Sequence, residues 1–143
     1  MPILKSDRFD IDYVDAGSGP AVVLIHASAS NNKQWRRIIE DNQDQYRFLA
    51  VNLFGYGDTT SWSGDVAQTI DDQVSLIEAV SGLVDEQVCL VGHSLGGAVA
   101  AYSAMTLGEK VSGLVLLEAN PFPLLDKDEW QHAYEEIVAL KDY

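Results

Sequence analysis

Residues 88 to 100 read VCLVGHSLGGAVA: an apolar run, a serine framed by glycines, then a stretch of small residues. Gly92, Ser94 and Gly96 fit the pattern G-x-S-x-G. The bare pattern is a weak signal, but its setting strengthens it. A serine on a sharp strand-to-helix turn is forced up out of the sheet, where a substrate can meet it. The residues two before and two after it then lie close together, so glycines avoid a clash of side chains. Gly97 and Ala98 let the following helix approach the sheet. The helix start also presents free N–H groups towards developing negative charge. This is the setting of a nucleophile. The competing reading is a plain glycine-rich turn with Ser94 as an N-cap.

Such a serine needs a particular scaffold, and the rest of the chain supplies its pattern. RFDIDYVDAGSGP alternates, with Phe9, Ile11 and Tyr13 on one face and Asp10 and Asp12 on the other, as in a half-exposed edge strand that ends in a GSGP turn. AVVLIH (21–26), YRFLAVN (46–52), QVCLVGH (87–93) and VSGLVLLEA (111–119) are continuous apolar runs, the mark of strands buried on both faces. Helical patterns lie between them. NNKQWRRIIE places Trp35, Ile38 and Ile39 at helical spacing. Ile70, Val74, Ile77 and Val80 form a stripe, with Thr69 and Asp72 in capping-box spacing. SLGGAVAAYSAMTL is an alanine-rich helix that stops at Gly108. After NPFP, Asp126 and Glu129 cap a last helix with Trp130, Tyr134, Ile137 and Val138 on one stripe. The alternation predicts an α/β fold, a mostly parallel sheet with helices on both faces.

The chain has 143 residues, which suits one domain with a sizeable core. Its net charge is -13, from 9 Lys and Arg against 22 Asp and Glu. Such a chain repels phosphate backbones and anionic membranes, so neither nucleic acid nor membrane is expected as a partner. No run is long enough to span a bilayer and no basic leader precedes an apolar stretch, so the expected location is cytoplasmic. The single cysteine, Cys89, sits inside an apolar run and reads as a small core residue. No metal ligand set and no nucleotide motif is visible, and no cofactor is expected.

Three segments, LIHASAS, VNLFGYGDT and LVGHSLGG, give the chain its resemblance to the α/β-hydrolase superfamily, over residues 8 to about 125. The first resembles the oxyanion loop, the second a loop that commonly reads Asp-x-x-Gly-x-Gly, and the third the nucleophile elbow. The resemblance implies Ser94 as nucleophile. It implies an oxyanion hole from the N–H of Leu95 and one from the loop 26–30, at Ser28 or Ala27. Ala27 stands where the family usually has glycine, and Asn52 where it usually has aspartate.

The resemblance also exposes a gap. A serine hydroxyl is a poor nucleophile until a base takes its proton. The family's base is a histidine near the C-terminus, after strands that this chain does not show. Of the three histidines, His26 lies where the family's is structural, His93 must point away from Ser94, and His132 sits on the last helix. Glu118 closes the fourth apolar run, where some branches of the superfamily carry the catalytic acid and others a structural residue.

The expectation is therefore a truncated α/β-hydrolase core over 1–125, lacking the last two strands, with a lid-like or swapped helix at 126–143. Its chemistry would be serine hydrolysis of a small ester or related carbonyl compound, weak or absent in this chain. The alternatives are a non-catalytic binding or interaction protein on the same scaffold, or altered chemistry such as acyl transfer or C–C bond hydrolysis. The chain would be a fragment of a longer enzyme, a shortened relative, or one half of an assembly. The strand at 111–119, left as an edge, predicts a homodimer.

Overall fold

The structure, a computed structural model, describes residues 2–62 and 68–119. The elements in chain order are β1 (Ile3–Lys5), β2 (Asp10–Gly17), β3 (Ala21–Ile25), a 3₁₀ turn (Asn32–Trp35), α1 (Arg36–Asn42), β4 (Arg47–Val51), α2 (Ile70–Ser81), β5 (Val88–His93), α3 (Leu95–Leu107) and β6 (Val111–Leu117). The strands form one sheet in the order β1-β2-β4-β3-β5-β6. β3, β4, β5 and β6 run parallel, while β1–β2 and β2–β4 pair antiparallel.

The order of the strands follows from the direction of each crossover. α1 takes the chain from β3 to β4 in one direction, and α2 and α3 take it back past β3 to β5 and β6. Right-handed connections in opposite directions must lie on opposite faces. One face accordingly carries α2 and α3, where Leu76, Ile77, Val80, Val99 and Ala100 pack on Val23, Ile25, Leu49, Val51 and Leu90. The other carries the 3₁₀ turn and α1, where Trp35 and Ile39 pack on Leu24, Phe48 and Ala50. Ile38, placed on the same stripe by its spacing, points outward and is exposed. The capping box forms as the spacing predicts: the Thr69 N–H donates to Asp72 Oδ2 at 2.7 Å, and the Asp72 N–H donates back to Thr69 Oγ1 at 3.4 Å.

Two expectations are corrected. β2 is not an edge strand, because β1, three residues too short to show a pattern, covers its outer side. Asp12 is consequently buried, at 1% exposure, rather than facing solvent. The fourth apolar run is not buried on both faces: in β6, Leu114, Val115, Leu116 and Leu117 are each exposed by 40–44%. The last helix, with Trp130, His132, Tyr134 and Ile137, and the division at 126 lie outside the described residues. No helix among the described residues is long and apolar enough to cross a membrane.

Asp12 is stabilised by a network that fixes the loop after β4. Its Oδ2 accepts from Asn52 Nδ2 at 2.9 Å and from the Asp58 N–H at 3.0 Å. Its own N–H donates to Thr59 Oγ1 at 2.9 Å, and that hydroxyl donates to the Asn52 carbonyl at 2.8 Å. Asn52 Oδ1 accepts in turn from the Asn32 N–H at 2.8 Å, tying the loop to the start of the 3₁₀ turn. An amide can face both a carboxylate and an N–H, whereas a carboxylate cannot donate. Asn52→Asp should therefore cost about 1–3 kcal/mol at pH 7. Urea denaturation checks this.

Candidate active site

The parallel strands diverge in connection at β3, whose neighbours β4 and β5 are reached in opposite directions. The crevice at the carboxyl ends of such strands is where open α/β sheets bind ligands. His26 follows β3 there, and Ser94 follows β5. Ser94 occupies the single residue between β5 and α3, with φ 53° and ψ -115°. That is a left-handed backbone on a residue with a side chain, which costs on the order of 1–3 kcal/mol.

Close packing enforces the turn. A Cβ on Gly92 would collide with the Gly96 carbonyl, and one on Gly96 with the carbonyls of Ile25 and His26. On Gly97 it would come within 2.6 Å of the Ala119 Cβ. The first turn of α3 thus lies directly on the ends of β3 and β5. The Ser94 N–H donates to the Leu117 carbonyl at 3.0 Å, which sets the elbow beside the end of β6. Ser94 makes no side-chain capping bond to α3, so the N-cap reading does not describe it. The N–H of Leu95 opens the helix and has no intrahelical acceptor. Leu95 also lines a cavity of about 220 Å³ with Gln68, Thr69, Ile70 and Gln73.

The loop after β3 is built around His26. This imidazole is fully buried and sits edge-on to Tyr56, with ring centroids 4.6 Å apart. The Leu53 N–H donates to His26 Nε2 at 3.0 Å, so Nε2 must be unprotonated. Nδ1 therefore carries the proton and donates to the Ala27 carbonyl at 2.8 Å. The Ser30 N–H reaches the same carbonyl at 3.2 Å, closing a tight turn in which Ala29 has φ 58°. The Ala29 N–H donates to the Tyr56 hydroxyl at 3.0 Å.

The two loops are tied by a residue that the sequence did not single out. Gln34 Oε1 accepts from the Ala27 N–H at 2.9 Å, and its Nε2 lies 3.1 Å from His93 Nδ1. The Ala27 N–H is therefore engaged, whereas the Ser28 N–H has no acceptor among the described residues. Nothing in the periodicity around Trp35 marks Gln34, because its partner His93 is 59 residues away. Glu118 sits next to Leu117 at the end of β6, exposed, with φ 47°. Among the described residues no group of three or more His, Cys, Asp and Glu could hold a metal. Cys89 is half-buried at the far end of the sheet, and burial pushes its thiol above the ordinary value.

Burial pushes the His26 imidazole below its usual 6.5, opposed by the bond to the Ala27 carbonyl. The unfolded chain then binds the proton more readily than the folded one. Its contribution to stability is full above pH 6.5 and is lost as pH falls through the depressed folded-state value. Denaturant midpoints should drop between pH 7 and about 5. His26→Asn should be less stable at pH 7 and show a flatter profile across that window.

Comparison with known proteins agrees with this fold. Residues 20–143 match the family of the alpha/beta hydrolase fold. A pimeloyl-[acyl-carrier protein] methyl ester esterase of Aeromonas hydrophila is 31% identical over 123 residues, covering 86% of this chain and 46% of the relative. A soluble epoxide hydrolase of Corynebacterium sp. is 33% identical over 114 residues, covering 79% and 39%. The crystal structure of an epoxide hydrolase from Vigna radiata superimposes with a TM-score of 0.75 at 29% identity, over 80% of this chain and 38% of that one. The chain thus spans less than half the length of these proteins. By its matched residues and by its sheet, the chain belongs to the alpha/beta hydrolase fold family.

Proposed function

We propose that this chain carries the nucleophile half of a serine hydrolase that acts on a small ester or related carbonyl compound. The observation that carries the reading is the strained backbone of Ser94, with φ 53° and ψ -115°, on a strand-to-helix turn. Strain of this kind persists only where the surroundings impose it, and it clusters at sites of chemistry. Ser94 Oγ attacks the carbonyl carbon. The oxyanion meets the N–H of Leu95 at the start of α3 and the N–H of Ser28. Ser28 is preferred to Ala27, whose N–H is given to Gln34.

The relatives include an ester hydrolase and an epoxide hydrolase. A serine nucleophile favours the first chemistry. Attack on a carbonyl leaves an acyl ester that water can cleave, whereas attack on an epoxide leaves an ether that water does not cleave. The base remains the gap. His26 has both ring nitrogens committed, and His93 Nδ1 faces Gln34. His132 lies outside the described residues. Neither His26 nor His93 supplies a base beside Ser94, and on this reading the described residues make a weak catalyst or none. Glu118, exposed at the end of β6, is assigned at most a supporting role. The second reading, a binding protein that keeps the pocket without the chemistry, is favoured by the lack of a base beside Ser94 among the described residues.

Turnover of p-nitrophenyl acetate separates these readings. The expected activity is feeble, since an oxyanion hole and binding alone leave a residual ~10³–10⁴-fold over water in triad-deleted enzymes. Ser94→Ala should abolish it and Glu118→Gln should change it little. Turnover near ~10 s⁻¹, typical of complete enzymes, would show that the base is present after all. Activity unchanged in Ser94→Ala would remove the serine from the mechanism.

A further inference from the structure

An oxyanion hole works only if its donors reach the same oxygen at hydrogen-bond distance. Here the two donors come from segments far apart in the chain, the turn after β3 and the start of α3. Gln34 is the side chain that spans them. Its Oε1 accepts from the Ala27 N–H at 2.9 Å, one residue before Ser28. Its Nε2 lies 3.1 Å from His93 Nδ1, two residues before Leu95. Gln34 is exposed, yet the turn that carries it is anchored on both sides. Trp35 is buried against Leu24 and Phe48, and Asn32 Nδ2 donates to the Ala50 carbonyl at 3.1 Å.

We propose, on the reading of Ser94 as a nucleophile, that Gln34 is a positioning residue: its amide is the strut that sets the aim and spacing of the Ser28 and Leu95 N–H donors. The aim follows from the peptide units on either side of Ala27. The carbonyl of the Ala27–Ser28 unit accepts from His26 Nδ1 at 2.8 Å and from the Ser30 N–H at 3.2 Å. A trans peptide is planar, with its N–H opposite its carbonyl, so the Ser28 N–H points away from the buried imidazole. The preceding unit is held by Gln34 through the Ala27 N–H. With both units held, neither dihedral of Ala27 is free to turn the Ser28 N–H aside. Gln34 also withdraws the Ala27 N–H from the crevice, so one donor of the turn, and not its neighbour, faces the substrate.

The other end of the strut fixes a tautomer. Oε1 already accepts from Ala27, so Nε2 is the donor and His93 Nδ1 the acceptor. His93 then carries its proton on Nε2. A glutamate at position 34 would offer oxygens at both ends. It could still accept from the Ala27 N–H, and His93 would meet it by moving its proton to Nδ1. Methionine has a similar length and can make neither bond.

The test is acylation of Ser94 in the 143-residue chain by p-nitrophenyl acetate and by its thionoester, read by tandem mass spectrometry. Ser94 Oγ bonds to the acyl carbon, p-nitrophenolate leaves and the hydroxyl proton passes to water. Sulfur accepts hydrogen bonds poorly, so the thionoester gains little from the two donors. Gln34→Met should slow acylation by the oxygen ester ~10–10²-fold and change the thionoester rate little, with an unchanged circular dichroism spectrum. Gln34→Glu should restore the oxygen ester to within a few-fold of wild type. His93→Phe, which keeps a ring and cuts the far end of the strut, should lose rate with the oxygen ester selectively. An oxygen-ester rate unchanged in Gln34→Met would overturn the proposal. Equal losses with both esters would overturn it too, by reducing Gln34 to general support of the fold, and so would a Gln34→Glu chain as slow as Gln34→Met. A wild-type chain acylated at Ser94 by neither ester would remove the nucleophile reading, and the strut with it.

Discussion

The approach of one helix to one sheet governs the rest of this structure. The first turn of α3 lies so near the ends of β3 and β5 that Gly92, Gly96 and Gly97 have no room for a side chain. The contacts are with backbone and with the Ala119 Cβ, which cannot swing aside as a long side chain could. The chain must therefore reverse within the one residue between β5 and α3, and Ser94 takes a backbone conformation that few non-glycine residues adopt. The turn also brings the unsatisfied N–H groups of a helix start to the crevice where strand connections diverge. The strained backbone and the nearby donors thus share one steric origin.

The surrounding loops are held by buried polar groups rather than by apolar packing. His26, as a neutral imidazole with a fixed tautomer, joins the turn after β3 to the loop after β4. Asp12 and Asn52 join that second loop to β2 and to the 3₁₀ turn. Gln34 joins the turn after β3 to the end of β5. Each bond is modest in isolation, but leaving a buried partner unmatched is expensive, so such networks specify one arrangement. Ala27 and Asn52 both take part in these networks. The methyl of Ala27 fits within its buried turn, and the amide of Asn52 faces a carboxylate already present at Asp12.

What the sequence makes legible is what neighbouring residues decide. The elbow, the capping box at Thr69, the alternation of strands and helices and the family resemblance all rest on patterns within a few residues, and the structure has them. Long-range contacts leave no such trace. β1 is three residues long and shows no period. The burial of Asp12 depends on β1 and on a loop some 40 residues away. Gln34 is an exposed glutamine in a polar segment, and only its distant partners give it meaning. The apolar composition of β6 reads as a buried strand, because composition records what a surface prefers and not whether it is covered.

The central claim is that Ser94 stands apart from every other serine in this chain because of the turn that holds it. A fluorophosphonate reagent, with adducts mapped by tandem mass spectrometry, tests this directly. The expected result is one slowly formed adduct, on Ser94, that disappears in Gly92→Ala while the protein remains folded. An unmodified Ser94, or adducts spread over the surface serines, would contradict it.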